Sequence, residues 1–150
     1  MRLTIELVPS SCWFSNVRAV VTRKQWDSLR SKVYSQAYHL CQICGGVGKK
    51  HPVECHEIWH YDDKNLVQKL EGMIALCPSC HMVKHIGLAQ LQDRGDRALK
   101  HLMKINGLDK TLAEKYIADA FSIWAMRSGK SWKLDLSSLA EYGIDGSKLL

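Results

Sequence analysis

At 150 residues, with 46% apolar and 24% charged side chains, the chain has the size and balance of one globular domain, which excludes fibrous and fully disordered classes. No apolar run approaches the roughly 18–20 residues of a membrane span, so no membrane partner is expected, and no organic cofactor is expected either. The net charge of +6 and pI near 9.0 fit a polyanionic partner such as DNA.

Residues 3–8 alternate and predict a strand, and Met1–Leu7 lacks a signal-peptide core, so a cytoplasmic location is expected. Thr22-Arg23-Lys24-Gln25 has the form of a capping box. Behind it Trp26, Leu29, Val33, Ala37 and Leu40 recur every three to four residues, predicting a helix over about 23–38 with its apolar stripe in the core. This N-terminal part, 1–40, delivers the chain to Cys41-Gln-Ile-Cys44, which Gly45-Gly46 follows.

A polar loop, Lys49-Lys50-His51-Pro52, leads into a predicted strand over Val53–Ile58. A second strand, Met73–Leu76, returns to Cys77-Pro-Ser-Cys80. Pro78 suits a first helical position, and residues 79–86 predict a short helix ended by Gly87. Cys41, Cys44, Cys77 and Cys80 have the spacing of a tetrahedral structural zinc, which in a chain without a secretion signal is a better reading than disulfides. Cys12 and Cys55 are left over and are expected to be small buried hydrophobes.

The C-terminal part, 88–150, predicts a helix over 95–105 broken by Asn106-Gly107. A longer helix follows over 110–128, with Leu112, Tyr116, Ile117, Ala120, Ile123 and Trp124 on its buried side. Trp132–Leu136 alternates and can pair with the N-terminal strand, and Ser137 or Ser138 is expected to cap a last short helix. Trp13, Trp59, Trp124 and Trp132 are expected in the core.

The order of knuckle, hairpin and helix over 41–87 resembles the four-cysteine, zinc-stabilised form of the HNH endonuclease family, including small bacterial and phage proteins of that type. Val53-Glu54-Cys55-His56-Glu57 and Ala75-Leu76-Cys77-Pro78-Ser79-Cys80-His81-Met82-Val83-Lys84-His85 carry the resemblance. It implies one α+β domain, 1–150, with a treble-clef, ββα-metal core flanked by helices. It also implies that His56, His81 and His85 hold a second divalent ion (Mg, Mn, Ni or Zn) beside the structural zinc. His81 and His85 lie four apart, so both rings can share a helix face.

Two positions depart from the family pattern. Glu57 stands where a histidine general base is usual, and Gly72 where an asparagine is usual. Glu57 would orient or deprotonate water, or else bind metal, and His60 is the nearest substitute base. Lys49, Lys50 and Lys84, extended by Arg94 and Arg97, would form a phosphate-binding rim.

Each of these positions also has an ordinary use. His81 can cap its helix, His85 and Glu57 can be structural, and the lysines can be a solvated face. His39, His51, His60 and His101 are expected at the surface. The expected function is metal-dependent hydrolysis of DNA phosphodiesters. The alternative is a decayed module of the same fold that binds DNA or a protein partner, for example as a phage inhibitor of a host protein.

Overall fold

A computed structural model describes residues 1–150, which form a mixed α and β fold. Its centre is an antiparallel hairpin of β1 (Glu54–Asp62) and β2 (Val67–Leu76), in register from Glu54 opposite Leu76 to Asp62 opposite Val67, with a shift between Ile58 and Trp59. Asp62 closes the turn by accepting the backbone N–H groups of Lys64 and Asn65.

Because strand residues alternate faces, the hairpin separates two cores. One face packs on α3 (Pro78–Lys84), α4 (Ile86–Leu91), α5 (Gly95–Asn106) and α6 (Lys110–Ser128), through Leu76, Val83, Ile86, Leu102 and Ala113. The other packs on α1 (Val17–Val20), α2 (Arg23–Gln36) and the C-terminal residues, through Val17, Leu29, Val33, Ala75, Leu136 and Leu139. His56 pairs with Ile74, which packs on the first core; Glu57 pairs with Met73, which packs on the second.

The capping box forms as expected. Thr22 Oγ1 accepts from Gln25 N–H, and Gln25 Oε1 accepts from Thr22 N–H. Gly107, left-handed at φ 64°, ends α5, and α6 spans the predicted residues.

Several expectations need correction. Residues 3–8 join no strand ladder. Asn106 Oδ1 accepts from Arg2 and Leu3 N–H, the Tyr116 hydroxyl accepts from Ile5 N–H, and Glu6 N–H donates to the Lys84 carbonyl. The alternation there reflects side chains docked on α3, α5 and α6. β3 (Lys133–Asp135) pairs parallel with β2, not with the N-terminus. Gly87 does not stop a helix: α4 follows α3 directly, and a Cβ at Gly87 would meet Leu7 and Phe121. On α6, Leu112 and Ile123 face solvent, and Trp13 is also exposed. Residues 137–142 form a 3₁₀ turn without a serine cap; Asp135 accepts from Ser137 N–H instead. No helix is long and apolar enough to cross a membrane.

Candidate metal centres

The first knuckle is a tight turn in which Cys41 N–H donates to the Gly46 carbonyl and Gly45 takes φ 74°. Gln42 then fastens it to β2: its N–H donates to the Ala75 carbonyl, and its Oε1 accepts from Ala75 N–H. That puts the turn beside Cys77, which caps α3 by accepting from Cys80 N–H. None of the six cysteines is joined in a disulfide. The four of the two knuckles lie within 4.8 Å of one another, with Cys44 Sγ 3.7 Å from Cys77 Sγ. Sulfurs bound tetrahedrally at about 2.3 Å from one zinc stand roughly 3.8 Å apart, so the cluster fits a zinc ion.

The charges of this cluster are interdependent. The Cys80 thiol donates to Cys41, which burial opposes, and Cys41 is brought down to about 4. Burial pushes Cys77 up to about 11, and the bond to Cys41 together with burial pushes Cys80 up further. Holding all four as thiolates would take a compensating cation, which a divalent ion bound by the four sulfurs would supply. His101, expected at the surface, instead has Nε2 3.2 Å from Cys80 Sγ and can donate to that sulfur. Only packing of α5 on α3 brings it there.

The second cluster joins β1 to α3. His56, 4% exposed, lies on the α3 face of the hairpin; His81 is in the last turn of α3, whereas His85 falls just past the helix, at its C-cap, with non-helical backbone (φ −106°, ψ 47°). The three ring centroids are 4.8, 5.0 and 5.2 Å apart, and each ring offers a nitrogen within 4.8 Å of the others. Rings bound at about 2.0–2.1 Å to one ion stand at roughly such spacings, so the residues present fit a divalent ion.

Two of these rings are held from behind by carboxylates. His56 Nε2 lies 2.7 Å from Glu6 Oε2, and His81 Nδ1 lies 2.5 Å from Glu54 Oε2. Each leaves its other nitrogen for the shared space, as carboxylate–histidine–metal arrangements do. Burial lowers the His56 pKa despite Glu6, and burial together with the neighbouring histidines pushes His85 down to about 3. Neutral rings are the metal-binding form.

Glu6 is tied on its other side to the Lys84 ammonium, which also donates to Thr4 Oγ1. Burial would raise the Glu6 carboxyl, but the bonds from His56 and Lys84 outweigh it and hold it at about 2. Neither Glu6 nor Glu54 stood out from the sequence. Lys84 is thus a correction: it is 5% exposed and paired inside the protein, so it offers no surface for phosphate.

Glu57 is a second correction. It lies on the opposite face of β1 from His56, where its Oε1 accepts from Val17 N–H and its Oε2 from Trp59 Nε1–H. Burial raises its pKa against those bonds. Gly72 pairs with Ile58 at the register shift, and a Cβ there would meet nothing. His60 is exposed, with Nδ1 4.0 Å from Glu71. Lys49, Lys50, Arg94 and Arg97 are exposed, and Arg94 bonds Gln92.

Glu57→Gln is accordingly expected to leave metal binding at the histidines intact. It should lower stability by about 1–3 kcal/mol, because an amide cannot accept from both donors in the same way. Thermal unfolding beside a metal titration checks both halves. Reduced metal binding at unchanged stability would return Glu57 to the site.

No family model matches the chain, and neither a curated protein nor a solved structure matches it.

Proposed function

We propose that the chain is a metal-dependent DNA endonuclease with an HNH-type site in a treble-clef, ββα-metal core. The observation that carries this reading is the convergence of the His56, His81 and His85 rings, two of them backed by carboxylates, on the hairpin and helix beside the four-cysteine cluster. A divalent ion there would supply Lewis-acid stabilisation of the phosphate charge that grows as the bond breaks. The chain's own residues would position that ion and the substrate. Glu6 and Glu54 fix the ring orientations, Lys84 keeps Glu6 ionised, and the exposed Lys49 and Lys50 attract the DNA backbone.

A second reading is a module that binds metal and DNA without cutting. It is favoured by one observation: Glu57, the expected base, is bonded on the far face of β1.

Plasmid nicking with magnesium, manganese, nickel or zinc separates the two. The comparison is wild type against His85→Ala, whose ring makes no hydrogen bond to lose. The nuclease reading expects two metal ions per wild-type chain and one in the variant. Loss of an interaction worth several kcal/mol should reduce cleavage by roughly a hundredfold or more. Two ions and no cleavage under any metal would favour the binding module. Equal cleavage by both proteins would sink the histidine site.

A further inference from the structure

On the far side of Glu54 from His81 lies a cleft of about 310 Å³, lined by Arg30, Tyr34, His39, His51, Pro52, Val53 and Glu54. That is the small end of ligand clefts, roughly 300–1,000 Å³, and suits one nucleotide rather than a base pair. Its wall has two chemistries.

Tyr34 and His39 supply aromatic faces, with ring centroids 6.4 Å apart and planes tilted by 50°. Arg30, one turn before Tyr34 on α2, supplies a permanent cation that Asp27 holds in place through Nε and Nη2, and exposed His51 also lines the cleft. The position of His39 is set by unusual backbone: Tyr38 and His39 both take positive φ, 53° and 56°, and His39 N–H donates to the Tyr34 carbonyl. Left-handed conformation at two successive non-glycine residues is a strained arrangement of the kind found at ligand clamps.

The cleft and the histidine cluster share one side chain. Glu54 Oε1 lies 2.6 Å from His51 Nε2, while its Oε2 holds His81. Anything seated in the cleft is therefore one carboxylate away from a ring of the metal site.

We infer that this cleft binds an unpaired nucleotide of the DNA next to the cleaved phosphate, its base stacked on Tyr34 and His39 and its phosphate on Arg30, at the end of the cleft away from Glu54. The inference rests on the nuclease reading for the word cleaved, and it deepens that reading by naming the substrate as single-stranded or flapped DNA. Aromatic faces beside a cation are the surface that single strands use. A base inside a continuous duplex must first be unstacked and unpaired to enter a side cleft, at a cost of a few kcal/mol, whereas an unpaired one escapes most of that cost.

The test is anisotropy binding at fixed salt, with the zinc-loaded full chain carrying His85→Ala so that no probe is cut. The probes are a labelled 12-mer single strand, a flapped duplex and a blunt duplex of the same sequence. Tyr34→Leu and Arg30→Gln are compared in that background, with zinc content and melting measured for each. The single strand and flap should bind about five- to tenfold tighter than the duplex, and each substitution should remove about that factor while duplex binding changes less than twofold. Equal affinity for all three probes overturns the inference. So does single-strand binding unchanged in both folded variants. Because nothing in this assay is cut, failure of wild-type cleavage would remove the nuclease reading and leave the binding preference to stand or fall by itself.

Discussion

Stripping metal from Cys41, Cys44, Cys77 and Cys80 is expected to unfold the half of the molecule built on α3 to α6, and with it the cooperative transition of the whole chain. Three of these cysteines, Cys41, Cys77 and Cys80, are themselves members of the first core, beside Leu3, Leu76, Val83 and Ile86. The ion would therefore tie together a core whose buried members include three of its own ligands. Structural zinc contributes on the order of 10 kcal/mol, comparable with the roughly 5–15 kcal/mol net stability of a whole domain. Without it, the first knuckle keeps only Gln42 on β2, Arg2 on the Ile43 carbonyl and the close approach of Gly48 to Pro78 at the start of α3. Circular dichroism during chelation, with zinc release followed by a chromophore, reads this directly. Helical signal and melting should be lost together as one zinc leaves, and Cys77→Ser should reproduce the loss. A chelated protein with the same melting transition would show that the cluster is not a folding element.

The elements most legible in the sequence were those whose signal is local. A capping box, two cysteine pairs, a hairpin and histidines at helical spacing each depend on residues a few positions apart. The site was less legible where it depended on faces and distant packing. Glu57 adjoins His56 in sequence, yet strand alternation sends the two side chains into different cores, and only the pairing with Met73 and Ile74 shows which core each joins. Lys84 reads as a surface lysine on a helix beside the ligands, but the N-terminal segment lies over it. That segment has the alternation of a strand because one side of it docks on helices, with Asn106 and Tyr116 in place of a neighbouring strand. His101 reaches Cys80 from 21 residues away through the packing of α5 on α3, which no spacing rule predicts.

Glu6→Ala is expected to damage both the stability of the fold and the histidine site. It leaves the Lys84 ammonium, 5% exposed, with Thr4 as its remaining side-chain partner, and it frees His56 Nε2. Breaking a buried ion pair from one side costs about 3–5 kcal/mol, and the partial exposure of Glu6 favours the lower figure. For a chain of this length that is a fall of roughly 6–12 °C in melting temperature. Removing both charges together, as in Glu6→Leu with Lys84→Met, should recover most of the loss, since an apolar pair of similar volume carries no stranded charge. Metal affinity should not recover with it. The His56 ring would still lack the carboxylate that holds it, and loss of such a partner weakens metal binding by about 10–100-fold. Cobalt titration of the zinc-loaded single and double variants therefore separates two roles that a single substitution confounds. Stability restored with affinity still low is the result expected if Glu6 orients His56. Affinity restored along with stability would mean that Glu6 acts on the histidine cluster only by keeping the protein folded, and additive losses in the double variant would mean that the ion pair is not a coupled unit.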